Sequence, residues 1–317
     1  MIKKLSDAFG VSGCEKEVAN LIKEELLKYT TDIKSDAMGN IFASKITDLK
    51  NPNVVLTAHM DECGFIITDI TENGYLKFET IGKIPAENLI SKKVKINGHI
   101  GIIALKAIHL TPKEEREKPI KMENLFIDIG AVSKAEAEKI IQIGDYAEFD
   151  SSFSNFGENL IKGKALDSRI GCNILIDIFK NFDFDKLNLI CVFTVQKEIS
   201  SRGALIACRN IKDAGKIIVV GGKEAKCGDG VIIGITDNPI FARITELAEK
   251  NKIKYQALQS LKDTEINAFS SQISQIPCIA LDVPCRYLKT PVNLSDKSDI
   301  EELYKLVFAI LKEENNA

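Results

Sequence analysis

Four places in the sequence collect polar side chains that could carry acid–base or metal chemistry. They are His59-Met60-Asp61-Glu62, Asp167, Lys197-Glu198 and the segment that ends at Lys289. Three of them directly follow apolar runs typical of strands, and Asp167 precedes a predicted helix. Because ligands of open α/β sheets bind beyond the carboxyl ends of the strands, we expect these groups to meet at one edge of a sheet.

The His59-Met60-Asp61 spacing is suited to a metal site. Alternate residues of an extended strand share a face, so the Asp61 carboxylate could orient a metal-binding imidazole at His59. An ordinary hydrated strand end has the same pattern, however. Asp167 and Glu198, each taken alone, are equally well explained as a helix N-cap and a surface carboxylate. The pattern by itself leaves both interpretations open.

The elements that must position these groups follow an α/β pattern. The capping-box spacing of Ser12 and Glu15, followed by an apolar stripe, predicts a helix over about 13–28. Residues 33–45 are typical of a hairpin, and 53–58 form a run that is apolar on both faces. Such a run is typical of a strand inside a covered sheet.

Residues 64–163 have a different pattern, with short β-prone runs separated by turns. This pattern predicts a small β-rich insert, in which the polar stretch 111–121 forms an exposed loop. The chain therefore divides into an α/β domain, formed by 1–63 and 164–317, and an insert at 64–163. The predicted later elements are helices at 168–181, 201–210 and 238–250, strands at 187–195, 216–220 and 276–283, and a C-terminal helix whose apolar face is Leu303, Leu306, Val307, Ile310 and Leu311.

Composition limits the classes of partner. The 317 residues are 45% apolar, enough for a large core, and 42 basic residues against 45 acidic ones leave a net charge of −3. The two signs are interspersed, which favours neither nucleic acid nor a membrane surface as a partner. The eight cysteines include no CxxC pair and are interpreted as reduced, mostly buried residues. With a charged, glycine-broken N-terminus and no long apolar run, we expect a cytoplasmic protein.

Several segments, in order, resemble one family of enzymes. They are Phe9-Gly10-Val11-Ser12-Gly13, Asp36-Ala37-Met38-Gly39-Asn40, Ala58 to Phe65, Lys164-Ala165-Leu166-Asp167-Ser168-Arg169 and Val283-Pro284-Cys285-Arg286-Tyr287. Over nearly its whole length the chain resembles the dinuclear-metal aminopeptidases that include the tetrahedral and the glutamyl or deblocking enzymes. The resemblance implies a Zn-peptidase-like (phosphorylase/hydrolase-like) mixed sheet flanked by helices. It also implies an inserted β-barrel-like dimerisation domain and assembly up to dodecamers.

The resemblance also implies roles for individual residues. His59 would be a metal ligand, Asp61 its orienting carboxylate, Asp167 the carboxylate that bridges two metals and Glu198 a further ligand. In such a site the metals activate a water molecule, polarise the peptide carbonyl and anchor the free amino group of the substrate.

Three positions depart from the family pattern. Lys197 stands where the general base, a glutamate, is expected, while Gly221 and Lys289 stand where an aspartate and a histidine ligand are expected. A protonated lysine has no lone pair to offer a metal. Glu224 is the nearest carboxylate that could replace the ligand missing at Gly221.

The charges of these residues suggest that lysines have taken the place of the metals. Two carboxylates remain, Asp167 and Glu198, and two lysines, Lys197 and Lys289, would bring two positive charges to the same place. We therefore hypothesise that the ammonium groups replace the metal charges and hold the carboxylates by charge-assisted hydrogen bonds. A vacant pocket, with both lysines turned to solvent, is the simpler alternative.

Two functions follow from this sequence. The first is a homologue that needs no metal and does not hydrolyse peptides, but binds a peptide or amino acid or joins a homo-oligomer, alone or mixed with an active paralogue. The alternative is an active peptide hydrolase that uses a single zinc or cobalt ion, or a lysine of lowered pKa as its base.

Overall fold

The computed structural model describes residues 1–105, 119–211, 213–235, 239–259, 264–273 and 276–316. Most of the predicted loop 111–121 lies outside these ranges. Within them, eleven strands form one mixed sheet and six form a closed barrel. The predicted fold class, a mixed α/β sheet with a barrel-like insert, is therefore confirmed.

The large sheet has four parallel strands at its centre. Its strands are β1 (Ile33–Ser35), β2 (Ile41–Lys45), β3 (Asn53–His59), β10 (Ser154–Phe156), β11 (Leu160–Gly163), β12 (Asn188–Thr194), β13 (Ala214–Glu224), β14 (Val231–Ile235), β15 (Tyr255–Gln259), β16 (Cys278–Arg286) and β17 (Asn293–Asp296). The four central strands follow the order β12, β3, β13, β16. The whole path is β1-β2-β12-β3-β13-β16-β17-β11-β10; β14 pairs with β16, and β15 pairs with β14.

Helices cover the sheet on both faces, as β3 illustrates. Val54 and Leu56 belong to the larger apolar core, whereas Val55 belongs to a second core on the opposite face. The strand is therefore apolar on both sides, as the sequence predicted. The α-helices of the described chain are α1 (Ile2–Asp7), α2 (Lys16–Leu26), α3 (Lys134–Ala137), α4 (Leu166–Asn181), α5 (Arg202–Ala207), α6 (Pro239–Lys250), α7 (Thr264–Gln272) and α8 (Lys297–Asn316).

The insert is a closed antiparallel barrel around an aromatic centre. The rings of Phe78 and Phe149 both meet the ring of Phe65 edge to face, at centroid distances of 5.3 and 5.2 Å. Such pairs add to the stabilisation gained from burying the rings. The barrel strands, in pairing order, are β4 (Gly64–Ile70), β5 (Leu76–Ile81), β8 (Leu125–Asp128), β7 (His99–Leu105), β6 (Lys93–Ile96) and β9 (Tyr146–Phe149).

Two sequence-based expectations need correction. The barrel strands end at Phe149, and residues 154–163 pair through β10 and β11 into the large sheet. The sheet of the α/β domain therefore resumes about ten residues before the predicted boundary at 163. The first long helix begins at Lys16 and not at 13, because the predicted capping box does not form. Among the described residues, the Ser12 hydroxyl has no hydrogen-bond partner, and the Glu15 carboxylate accepts instead from the backbone N–H groups of Gly13 and Gln196.

A buried group of charges joins the barrel to the α/β domain. Lys164 Nζ lies 2.5 Å from Glu62 Oε1 and 2.9 Å from Glu148 Oε2, and Arg169 Nη2 lies 2.9 Å from Glu62 Oε1. Glu148 belongs to β9 of the barrel, whereas Arg169 belongs to α4. With two charges of each sign, this group is neutral as a whole. The pairing offsets part of the cost of removing these charges from water.

All eight cysteines are free thiols, five of them buried, as the sequence predicted. No helix among the described residues has the length and apolar character needed to cross a membrane.

Candidate functional site

The predicted site lies where the central parallel strands end. His59 ends β3, the loop after β12 carries Lys197 and Glu198, and β13 ends with the stretch from Gly221 to Glu224. The first turn of α4 supplies Asp167, and the turn after β16 supplies Lys289. Asp167, Glu198 and Lys289 line one cavity together, so the structure brings together the groups that the sequence singled out.

Asp61 fixes the loop after β12. Its Oδ1 accepts from the backbone N–H of Lys197 at 2.9 Å, and its Oδ2 accepts from the N–H of Glu198 at 2.8 Å. Glu15 takes the preceding amide, since its Oε1 accepts from the Gln196 N–H at 3.0 Å. Three successive backbone amides are thus held by two carboxylates. Burial alone would raise the pKa of Asp61, but its contacts with His59 and with these amides outweigh burial and lower the pKa well below its usual range.

His59 and Asp61 lie side by side at the predicted spacing. His59 Nδ1 is 3.4 Å from Asp61 Oδ1, and both side chains are buried. Burial and the Lys197 charge each act to lower the pKa of His59, yet the Asp61 carboxylate prevails and the pKa is raised. The structure therefore places Asp61 where an orienting carboxylate would lie.

Glu198 is occupied by partners from the chain itself. Lys197 Nζ lies 3.0 Å from Glu198 Oε1, and the Cys63 thiol donates to Glu198 Oε2 at 2.9 Å. Burial acts to raise the pKa of Glu198, but the Lys197 charge outweighs it and the pKa is lowered. For Lys197, burial acts to lower the pKa, and the Glu198 and Asp167 charges instead raise it well above its usual value. The pair is therefore an ammonium and a carboxylate at neutral pH.

The Cys63 contact was not predicted from the sequence. In the sequence, Cys63 is a small, apolar residue just before the insert, and nothing local indicates that its thiol faces a residue 135 positions away. Its pKa is raised well above the ordinary thiol value by burial and by the Glu198 charge. The neutral thiol is therefore a hydrogen-bond donor here, and not a nucleophile.

The two glycines at the end of β13 let the chain pass close to Asp167. A Cβ on Gly222 would lie 2.6 Å from Asp167 Cα, closer than real atoms approach. A Cβ on Gly221 would lie 3.1 Å from Asp282 Oδ1 and 3.7 Å from the Asp167 carbonyl oxygen. A side chain at 221 would therefore start beside Asp167, where the resemblance expects an aspartate ligand.

Glu224 does not replace that missing ligand. Its two carboxylate oxygens accept from the backbone N–H groups of Tyr287 and Leu288, at 3.2 and 3.3 Å. The side chain thus holds the turn that carries Lys289. The side chain of Lys289 is largely exposed, and it makes no ion pair within 4.0 Å among the described residues. Of the two lysines expected to pair with a carboxylate in place of a metal, Lys197 therefore does so and Lys289 does not.

Strained backbone surrounds the site. Ala165, Gln196, Ser200, Ser201, Tyr287 and Lys289 all have φ between +51° and +63°, a region that residues other than glycine seldom adopt. All six lie in the segments that carry Asp167, Glu198 and Lys289. Such strain persists only where surrounding contacts impose it, and it is concentrated at functional sites.

The residues present do not fit a dinuclear metal centre. Among the described residues, no group of three or more His, Cys, Asp or Glu side chains could hold a metal ion. Both oxygens of Glu198 are bonded to Lys197 and Cys63, so a metal would have to displace an ammonium group and a thiol. The remaining donors are one histidine and two carboxylates. A single catalytic zinc usually takes three protein ligands, so this set is too small for two metals.

The fold and the arrangement of these positions define a scaffold of the metallo-aminopeptidase class. The sequence pattern of the M42 glutamyl aminopeptidases matches residues 39–306, and the chain belongs to this family. A protein of Acetivibrio thermocellus is 33% identical over 326 residues, covering 97% of this chain and 96% of its own.

Solved structures agree with this assignment. A TET aminopeptidase from a marine sediment Thaumarchaeota archaeon has a TM-score of 0.93 and 27% identity, with 99% of this chain and 97% of that chain covered. The TET1 peptidase of Pyrococcus horikoshii, which assembles into a tetrahedron or a large octahedral shell, has a TM-score of 0.86 and 29% identity, with 98% and 97% covered.

Proposed function

We propose that this chain is an M42-family protein that lacks two-metal peptide hydrolysis and keeps the inherited cleft as a binding site for a peptide or amino acid. The observation that carries the proposal is the 3.0 Å contact between Lys197 Nζ and Glu198 Oε1. It supports the proposal because Lys197 stands where the resemblance expects the base, and its ammonium group lies against Glu198, the expected metal ligand. Among the described residues, the expected base is then missing and the Glu198 carboxylate is already paired.

The alternative, a hydrolase that uses a lysine base, is disfavoured by the same contact. A lysine acts as a base only when its pKa falls towards neutrality, and the neighbouring carboxylates raise the pKa of Lys197. A single zinc or cobalt ion would require His59, Asp167 and Glu198 together, after removal of the Lys197 and Cys63 contacts. The proposal therefore assigns no cofactor to this chain.

Metal content and turnover test the proposal. Purified protein is incubated with zinc or cobalt and dialysed, bound metal per chain is measured by mass spectrometry, and a panel of aminoacyl substrates is assayed. We expect well below one metal per chain and no turnover. Stoichiometric metal together with turnover would refute the proposal.

A restoring variant provides the matched control. Lys197→Glu, Gly221→Asp and Lys289→His together return the three expected groups to the scaffold. We expect this triple variant to bind two metals per chain, because the chain keeps His59, Asp61, Asp167 and Glu198, to which the resemblance assigns the other roles of the metal site. A triple variant that folds but binds no metal would show that the scaffold, and not only the three side chains, has diverged.

Self-association is part of the proposal. The similar Pyrococcus horikoshii peptidase assembles into a tetrahedron or an octahedral shell, and this chain has the same fold. We propose a homo-oligomer that pairs through the barrel and acts in the cytoplasm, and that can also include an active paralogue. Light scattering of the purified chain tests the homo-oligomer, and co-purification with a tagged active paralogue tests mixed assembly.

A further inference from the structure

The cleft beside the site is lined by more positive than negative side chains. Its volume is about 390 Å³, within the range of small-molecule sites. The charged residues that line it are Lys83, Lys197, Lys223, Lys289, Asp167, Glu198 and Glu224. Four lysines therefore face three carboxylates, and the excess charge of the lining is positive.

Two of the three carboxylates already have donors. Glu198 is bonded to the Lys197 ammonium and the Cys63 thiol, and Glu224 accepts from two backbone N–H groups of the turn at 287–288. Only Asp167 remains to attract a cationic ligand. An incoming ammonium group would also meet the lysines of the lining, and like charges repel at short range.

Lys83 and Lys289 are the cations available to a ligand. Both side chains are largely exposed, and neither forms an ion pair in the part of the chain that the structure describes. Lys83 comes from the barrel insert and Lys289 from the α/β domain, and both side chains line this one cleft. A carboxylate placed between them would gain two charge-assisted hydrogen bonds and displace no existing partner.

We propose that the cleft binds its ligand by a carboxylate, the C-terminal end of a short peptide or the α-carboxylate of an amino acid, and does not recognise a free amino terminus. This inference rests on the proposed loss of hydrolysis. An aminopeptidase site recognises the amino terminus of a peptide, and its metals and carboxylates attract that amine. Here lysines take their place, and lysines repel an ammonium group and attract a carboxylate.

Three forms of one peptide test the proposal by calorimetry at pH 7 and low salt. The probes are trialanine with free ends, N-acetyl-trialanine and trialanine amide. We expect amidation of the C-terminus to weaken binding at least about 10-fold, because it removes the charge-assisted contacts. We expect acetylation of the N-terminus to change affinity by less than about 3-fold or to strengthen it, since it removes only a repelled charge.

Charge-removing variants identify the site. Lys289→Gln and Lys83→Gln should each reduce the affinity for N-acetyl-trialanine about 5- to 10-fold. Lys50→Gln is the matched control, because this exposed lysine lies before β3, at the opposite edge of the sheet, and should leave the affinity unchanged. Thermal unfolding of each variant verifies that the fold is intact.

Tighter binding of the amide than of the acetylated peptide would overturn the proposal, and so would no binding of any of the three peptides at millimolar concentration. Equal losses from Lys50→Gln and Lys289→Gln would also overturn it, by showing a nonspecific charge effect. Metal content and turnover are measured separately, so failure of the binding proposal can be distinguished from failure of the proposed loss of hydrolysis.

Discussion

Replacing Lys197 by methionine tests whether its ammonium group neutralises the site. Lys197→Met keeps the aliphatic length of the side chain and removes the charge that lies 3.0 Å from Glu198 Oε1. The variant leaves the Glu198 carboxylate buried, with only the Cys63 thiol as donor. We therefore expect the α/β domain to be destabilised at neutral pH.

The size of the effect follows from distance and burial. A pair of charges at this separation attracts by about 5 kcal/mol at an effective dielectric constant of about 20, as an upper bound before desolvation. Breaking a fully buried pair costs about 3–5 kcal/mol. The side chains of Lys197 and Glu198 are 26% and 8% exposed, so water reaches the lysine end. We expect a loss of about 1–3 kcal/mol in the free energy of unfolding at pH 7.

The loss should depend on pH in a defined direction. The folded-state pKa of Glu198 is lowered by Lys197, so the pair stabilises the protein above the unfolded pKa of about 4.3, and this contribution disappears as the pH falls through the folded value. In Lys197→Met the buried carboxyl lacks its cation and takes up a proton more readily. The difference between wild type and variant should therefore be largest at pH 7 and shrink towards pH 4.

Urea unfolding followed by circular dichroism at pH 7, 5.5 and 4, at one protein concentration, measures these differences. The double variant Lys197→Met/Glu198→Gln is the control, and it should recover most of the lost stability because no uncompensated charge remains. A Lys197→Met protein as stable as wild type at pH 7, or a difference that grows towards pH 4, would refute the assignment of Lys197 and Glu198 as an ion pair.

Two further substitutions test the packing around the site. Lys164→Met leaves two carboxylates buried without their shared cation and should cost about 3–5 kcal/mol in urea unfolding. A Lys164→Arg variant, which keeps the charge, should lose clearly less, and equal losses would contradict the role of charge. Gly222→Ala places a Cβ 2.6 Å from Asp167 Cα and should cost about 1–3 kcal/mol. Gly221→Ala should cost less, because the nearest contact of its Cβ would be Asp282 Oδ1 at the longer distance of 3.1 Å, and the opposite order would contradict the close approach.

The sequence predicted the elements whose burial determines their pattern. The apolar run at 53–58 forms β3, and the change to short β-prone runs after Gly64 coincides with the start of the barrel. In both segments the burial of many neighbouring residues follows one rule, so the sequence pattern is strong. Short strands at the edges of the sheet, such as β10 and β15, were not predicted. Each has few residues to form a recognisable pattern, and its hydrogen bonds are made with residues outside the strand itself.

The sequence predicted that the candidate site residues meet, but it did not predict their contacts. Asp167, Glu198 and Lys289 line one cavity at the ends of the central strands, whereas the metal-site roles of His59, Asp61 and Asp167 stay predictions. Glu15 looked like part of a capping box, yet its carboxylate bonds the amide of Gln196, 181 residues away. A contact between such distant parts of the chain leaves no trace in local spacing, and the bond of Cys63 to Glu198 escaped prediction for the same reason.

The Lys197–Glu198 pair has a consequence for how this protein depends on its surroundings. A bound metal ion exchanges with solution, so the occupancy of a metal site follows the free metal concentration and falls when the metal is scarce or sequestered. The ammonium group of Lys197 is covalently part of the chain and is present in every copy at the moment of synthesis. If the proposed loss of the metals holds, the fold around Glu198 needs no supply from outside. We then expect metal starvation or a chelator to leave this protein unchanged under conditions that inactivate a metal-dependent enzyme.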